Sequence, residues 1–129
     1  MLENEFLSGV IEGFYGAPWS QSERMMVFDW MSDWGLNTYL YAPKDDMKQR
    51  LLWRERYSFP ESEELKEVTQ ACKSRGIRLI YAVSPGLDIR YSEASELDHL
   101  QSRFDHMIQL GFENFALLFD DIPDVMRPE

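Results

Sequence analysis

Residues 75–88 read RGIRLIYAVSPGLD, and this stretch shows the unit that decides the fold. Gly76 follows a helix-like segment, where glycine supplies the left-handed backbone that ends a helix. Arg78–Val83 is a strand-like run, and a loop rich in proline and glycine follows it. Gly35 and Gly111 occupy the same place before two further strand-like runs. The chain therefore repeats one unit, in which a helix, a glycine, a strand and a polar loop follow each other.

Seven alternating elements follow from this unit. The predicted strands are Leu7–Phe14, Thr38–Ala42, Arg78–Val83 and Phe115–Phe119. The predicted helices run from a capping box at Ser20 to Gly35, from Glu61 to Arg75, and from Ser95 to Leu110. Strands that alternate with helices indicate a parallel sheet with right-handed crossovers. We expect Met25, Met26, Trp30 and Trp34 of the first helix to face the core.

The element count indicates part of a barrel. A complete (β/α)8 TIM barrel needs about 250 residues, and this chain has 129. Its loops after the strands are long and chemically unusual, whereas its helix-to-strand turns are short, as in barrels that keep their site at the carboxyl ends of the strands. We therefore predict an α/β fold that is the first half of a TIM barrel, truncated after four parallel strands and three helices. Residues 1–129 form one domain in this interpretation, with no further domain.

Two adjacent acids close the last apolar run. Asp120 and Asp121 follow Phe115–Phe119 directly, so they lie at the rim of the predicted sheet. Two carboxyls this close cannot both ionise easily, so we expect the pKa of one to rise and that group to serve as a proton donor. Both side chains can reach one pocket only if the backbone leaves β geometry there. The alternative is that one or both acids only cap a following helix.

Two further residues at predicted strand ends are candidates for ligand binding. Lys44 follows the second strand and could hold a hydroxyl or a carboxylate, or could be a surface lysine paired with Asp45 or Asp46. Gly13 precedes Phe14 and Tyr15; glycine permits close backbone approach, and aromatic faces suit sugars. The alternative for these residues is a turn with core aromatics.

A metal or thiol site is disfavoured. Asp45, Asp46 and Asp124 could be ligands, but the two histidines, His99 and His106, both lie on the third predicted helix, so we expect solvated acids instead. The single cysteine, Cys72, excludes a disulfide framework and a cysteine-rich zinc site. We expect it to be a small buried apolar residue.

Charge and hydropathy exclude several classes of partner. The net charge is −10, from 23 acidic and 13 basic residues, which disfavours nucleic acid and anionic membranes. No apolar run approaches the roughly 20 residues of a membrane span. The acidic start, residues 1–5, lacks the features of a signal peptide, so a cytoplasmic location is expected.

With these residues in hand, the chain resembles glycoside hydrolase family 84, the family of protein O-GlcNAcases and of bacterial β-N-acetylglucosaminidases, some labelled hyaluronidases. The resemblance runs in order and at family-like spacing from about Phe6 to Ile122. The matching motifs are Gly9–Gly16 with Pro18-Trp19, Asn37–Asp46, Trp53-Arg54-Glu55, Ser84–Ile89 and Phe115–Ile122.

The resemblance implies a function for the acid pair. Gly13 and Lys44 correspond to sugar-contacting residues, Asp120 to the acid that orients the 2-acetamido group, and Asp121 to the general acid/base. The implied reaction removes β-linked N-acetylglucosamine from a glycoprotein or glycan, with O-GlcNAc on Ser/Thr of proteins as the expected substrate and the nucleus as a further location. It is retaining and substrate-assisted, through an oxazoline, without a metal or cofactor.

The chain departs from this family in length. The family's other sugar-binding residues come from later strands, which leaves the activity of the 129-residue fragment open. The alternative is a non-catalytic half-barrel that self-associates or pairs with another chain through its open edges, for instance as a homodimer. A carboxylate-based Mg²⁺ phosphotransferase using Asp120, Asp121 and Asp124 is disfavoured, because the sequence has no glycine-rich phosphate loop.

Overall fold

A computed structural model describes residues 5–125 of the chain, so most of the acidic N-terminal run used above lies outside the described residues. Its elements are, in order, β1 Gly9–Glu12, α1 Gln21–Trp34, β2 Thr38–Tyr41, α2 Phe59–Ser74, β3 Arg78–Val83, α3 Ala94–Gln109 and β4 Asn114–Leu117. The four strands form one parallel sheet in the order β1-β2-β3-β4. The predicted four strands and three helices are confirmed.

Local sequence signals account for the helix ends. Ser20 caps α1 through a capping box with Glu23, as predicted. α2 begins at Phe59, earlier than predicted, because Ser58 forms a second capping box with Glu61. Gly35, Gly76 and Gly111 all have positive φ angles, of 71°, 66° and 106°, and each connects a helix to the next strand.

The strands are shorter than predicted at both edges of the sheet. β1 covers only Gly9–Glu12 of the predicted Leu7–Phe14. β4 ends at Leu117, and one more hydrogen bond, from the Leu118 amide to the Val83 carbonyl at 3.0 Å, continues the pairing. Asp120 and Asp121 therefore lie beyond the strand, with Asp121 in the left-handed region at φ 50°. The backbone leaves β geometry at the acid pair, which is the condition stated above for both acids to reach one pocket.

The core lies between the sheet and the helices. Its fully buried large side chains include Phe28, Tyr39, Trp53, Tyr81 and Phe112. Cys72 belongs to this core, as expected, and burial raises the pKa of its thiol to about 12. The opposite face of the sheet carries Ile11, Leu40 and Ile80 side by side in register, and Ile11 is 67% exposed.

The predicted core face of α1 is wrong for three of its four residues. Met26, Trp30 and Trp34 are exposed, and the two indole rings stack on each other with centroids 6.0 Å apart. The helix instead buries Arg24, Phe28 and Met31, which share another face at helical spacing. The reason is a buried acid on β1: Glu12 holds Arg24 in a bidentate ion pair, and this fixes the rotation of the helix.

Candidate active site

The carboxyl ends of β2 and β4 meet in an ion pair between two predicted site residues. The Lys44 ammonium lies 2.6 Å from Oδ2 of Asp120. Lys44 is buried, as are Ala42 and Pro43 before it, and its amide donates to the Phe14 carbonyl at 3.3 Å. The side chain of Asp120, by contrast, is 58% exposed. A fixed, buried cation thus holds an acid that remains accessible from the solvent side.

This pairing sets the charge of Asp120. The hydrogen bond from Lys44 lowers the pKa of the carboxyl, against partial burial that would raise it, and the Lys44 charge lowers it further. Mutual repulsion in an isolated acid pair would raise the pKa of one acid. At Asp120 the pKa is lowered instead. Asp120 is an ionised hydrogen-bond acceptor at neutral pH.

Asp121 has a different set of partners, although it is the next residue. The Tyr15 hydroxyl, from the loop after β1, donates to Oδ2 of Asp121. The Arg50 guanidinium, from the loop after β2, lies 3.6 Å from the same oxygen and donates to the Asp121 carbonyl at 3.3 Å. The two acids therefore share a rim but have different direct partners, Lys44 for Asp120 and Tyr15 with Arg50 for Asp121, and such a difference can give adjacent carboxylates different roles.

Gly13 lies at this rim directly after β1. A Cβ at this position would be 3.1 Å from Cγ2 of Ile11, tighter than most such contacts, and 3.8 Å from the Ala42 carbonyl oxygen. The next residue, Phe14, packs its ring against Trp19 with centroids 5.2 Å apart. The structure thus brings Gly13, Lys44, Asp120 and Asp121 to one end of the sheet.

Two other acids, in the loop after β2, accept hydrogen bonds from neighbouring groups. Asp46 accepts hydrogen bonds from the Tyr41 hydroxyl at 2.5 Å and the Tyr57 hydroxyl at 2.8 Å, and Asp45 accepts one from the Gly16 amide at 3.0 Å. The expectation of solvated acids is wrong for Asp46, which is half-buried and holds two tyrosine hydroxyls, whereas Asp45 and Asp124 are exposed as expected. Among residues 5–125 no group of three potential metal ligands comes together.

The motif Trp53-Arg54 ties the loop after β2 to the loop after β3. The Trp53 indole donates to Asp88 at 2.8 Å, and Arg54 binds both Asp88 at 2.8 Å and Glu96 at 2.5 Å. The hydrogen bonds from Arg54 lower the pKa of Glu96. Among the described residues, these contacts of Trp53 and Arg54 join the two loops and α3 and do not include the acid pair.

Sequence reasoning did not find Arg50 or the hydroxyl of Tyr15 as partners of Asp121. Arg50 lies in the irregular segment between β2 and α2, where no periodicity predicts the direction of a side chain. The motif that contains Tyr15 was recognised, but a sugar-facing aromatic was expected rather than a donor to an acid.

Within the described residues, no helix is long and apolar enough to cross a membrane.

Comparisons with known proteins agree on one family. The model of a family described as beta-N-acetylglucosaminidase matches residues 8–128. The Protein O-GlcNAcases of Rattus norvegicus and Mus musculus are each 51% identical over 117 residues, which cover 91% of this chain and 13% of the relative. The chain thus spans a small part of the length of these relatives.

A solved structure gives the same result for the fold. A mutant of the O-GlcNAc hydrolase of Thermobaculum terrenum superposes with a TM-score of 0.91 at 38% identity, covering 95% of this chain and 27% of that one. This likeness to part of a TIM-barrel protein confirms the predicted fold class.

Proposed function

Because the chain belongs to the beta-N-acetylglucosaminidase family, we propose that its acid pair serves a glycoside hydrolase that removes β-linked N-acetylglucosamine. The proposed substrate is O-GlcNAc on Ser/Thr of proteins, since the similar proteins named above are O-GlcNAcases and an O-GlcNAc hydrolase. The proposal includes residues 1–129 as the N-terminal half of the catalytic barrel and a cytoplasmic or nuclear location.

The observation that carries the proposal is that the adjacent acids Asp120 and Asp121 bind different neighbours. Lys44 keeps Asp120 ionised, so Asp120 can accept the N–H of a 2-acetamido group and stabilise the positive charge that develops on it. Asp121 is held by Tyr15 and Arg50 at the solvent side of the same rim. Two adjacent carboxylates that are held by different partners suit one electrostatic role and one proton-transfer role.

The proposed reaction has two steps. In the first, the acetamido oxygen attacks the anomeric carbon while Asp121 protonates the departing glycosidic oxygen, which gives an oxazoline that stays protonated on nitrogen and hydrogen-bonded to ionised Asp120. In the second, Asp121 takes a proton from water as the water oxygen attacks the anomeric carbon, and the bond from that carbon to the acetamido oxygen breaks, which restores the neutral acetamido group. Both steps invert that carbon, so the configuration is retained overall. Gly13 and Lys44 would contact the sugar.

The proposal is tested with two fluorogenic substrates that differ only at the 2-position. The full-length protein that contains this sequence should hydrolyse a 4-methylumbelliferyl β-N-acetylglucosaminide and release the β-anomer first, as followed by ¹H NMR. The matching β-glucoside, which has no acetamido oxygen, should not be hydrolysed. Equal hydrolysis of both substrates would rule out substrate assistance.

Replacing Lys44 by methionine should change the pH dependence of this reaction. Without the Lys44 hydrogen bond and charge, the pKa of Asp120 rises, so a larger fraction of Asp120 is protonated and inactive at mildly acidic pH. The acidic limb of the kcat/KM profile should move to higher pH. Lys66→Met, which removes a lysine from an exposed pair on α2, should leave that limb in place. An unmoved limb in Lys44→Met would contradict the role of Asp120.

A second candidate function, self-association, is supported by exposed apolar surface. In the part of the chain that the structure describes, β1 and β4 each pair on one side only. Phe6 and Ile11 at the β1 edge are 85% and 67% exposed, and Trp34 is 70% exposed. Such a surface favours a homodimer of the 129-residue chain through its open edges.

Size-exclusion chromatography with light scattering tests this candidate. The 129-residue chain should elute as a discrete dimer, and Ile11→Asp should shift it towards monomer, because a charge on the sheet face opposite the core opposes the burial of that face. A control with Glu113→Asp, at an exposed acid before β4, should stay dimeric. A monomer or an open-ended aggregate from the unchanged chain would contradict self-association.

A further inference from the structure

Arg50 makes three contacts that converge on the acid/base candidate. Its guanidinium lies 3.6 Å from Oδ2 of Asp121 and donates to the Asp121 carbonyl at 3.3 Å. The same guanidinium lies over the Tyr15 ring, 5.5 Å from its centroid, and Tyr15 donates to Oδ2 of Asp121. The Arg50 side chain is only 16% exposed, although it belongs to an irregular segment.

The neighbouring cations have other partners. Lys44 pairs with Asp120, Lys48 with Glu61, and Arg54 with Asp88 and Glu96. Arg50 and Asp121 therefore form a second ion pair at the rim, parallel to the first. Lys44 keeps Asp120 ionised, whereas Arg50 contacts both the carboxylate and the backbone carbonyl of Asp121.

The backbone contact matters because of the conformation of Asp121. At φ 50° this residue lies in the left-handed region, which non-glycine residues rarely adopt and which neighbouring contacts must maintain. The bond from Arg50 to the Asp121 carbonyl is one such contact. It restrains the peptide that follows the Cα of Asp121, and Tyr15 binds the carboxylate itself.

We propose that Arg50 is a positioning residue for the proposed hydrolase, which holds Asp121 in its left-handed conformation and stabilises the carboxylate that forms as the leaving group is protonated. This inference rests on the proposed function. When Asp121 gives its proton to the glycosidic oxygen, negative charge develops 3.6 Å from the guanidinium. Arg50 should therefore accelerate the reaction most for substrates whose leaving group must be protonated as it departs.

The test compares leaving groups in the full-length protein that contains this sequence. For a 4-methoxyphenyl β-N-acetylglucosaminide, whose leaving group is poor, Arg50→Gln should lower kcat/KM on the order of tenfold or more. For the 2,4-dinitrophenyl substrate, whose leaving group departs without a proton, the loss should be much smaller. Arg50→Lys retains the charge and should recover part of the lost rate on the poor substrate.

A matched control separates this role from a general loss of structure. Arg90→Gln removes an exposed arginine that pairs with Glu93, away from the acid pair, and should match the unchanged protein on both substrates. Equal losses of Arg50→Gln on both substrates, or no loss on either, would overturn the role of Arg50 while the hydrolase stands. An unchanged protein without activity on either substrate would overturn the proposed function and this inference with it.

Discussion

Replacing Asp121 by asparagine is expected to lower kcat for a β-N-acetylglucosaminide with a poor leaving group about 10²–10⁴-fold, the range typical of general acid–base catalysis. Asparagine has nearly the same size and can still accept the hydrogen bond from Tyr15, so the rim should keep its shape. It cannot give up a proton, so the departing oxygen would leave as an anion. KM should change little, because Asp121 is proposed to transfer a proton rather than to bind the sugar. Steady-state kinetics of the full-length protein that contains this sequence measures both values.

Asp124→Asn is the matched control for this variant. Asp124 is an exposed acid three residues further along the same loop. Its replacement makes the same change of charge near the rim and should leave kcat within about twofold, since surface substitutions are usually close to neutral. If both variants retained the full rate on the poor substrate, Asp121 would not be the proton donor.

Replacing Glu12 by alanine is expected to lower the free energy of unfolding by about 3–5 kcal/mol, the usual cost of removing one partner of a buried ion pair. Glu12 is fully buried and binds Arg24 through both oxygens, at 2.7 and 2.8 Å. The Tyr39 hydroxyl donates to the same carboxylate. The variant would leave the Arg24 charge and the Tyr39 hydroxyl buried without this acceptor. Urea unfolding followed by tryptophan fluorescence measures the change.

Two controls define what the loss means. Glu63→Ala removes one partner of an exposed pair with Lys66 and should cost about 0–1 kcal/mol. The double variant Glu12→Leu with Arg24→Leu removes both charges and should recover most of the loss, because no buried charge is then left unpaired. A loss of under 1 kcal/mol in Glu12→Ala would contradict the burial of this pair.

The main features of the fold could be predicted from the sequence because they rest on local signals. Gly35, Gly76 and Gly111 end their helices by a backbone conformation that glycine adopts readily, and the capping box at Ser20 starts α1. The orientation of α1 could not be predicted this way. The orientation of α1 depends on the buried carboxylate of Glu12, which lies on β1. Apolar periodicity within the helix therefore assigned Trp30 and Trp34 to the wrong face.

The candidate site could likewise be predicted only in part from the sequence. The positions of Lys44, Asp120 and Asp121 at one rim followed from parallel strands, whose carboxyl ends meet at the same edge. The ion pair between Lys44 and Asp120 was not predicted, since the lysine could equally have paired with its neighbours Asp45 or Asp46. Arg50 was missed because its direction is set by contacts between three loops, which local sequence does not encode.

In the proposed reaction, the substrate's own acetamido oxygen attacks the anomeric carbon while Asp120 and Asp121 assist. The decisive measurement uses 4-methylumbelliferyl substrates that carry zero, one, two or three fluorines on the N-acetyl group. Each fluorine makes the acetamido oxygen a poorer nucleophile and leaves the sugar ring and the leaving group unchanged. We expect kcat/KM to fall steeply along the series. A rate independent of fluorination would contradict the proposed reaction and assign the attack to a protein group or to water.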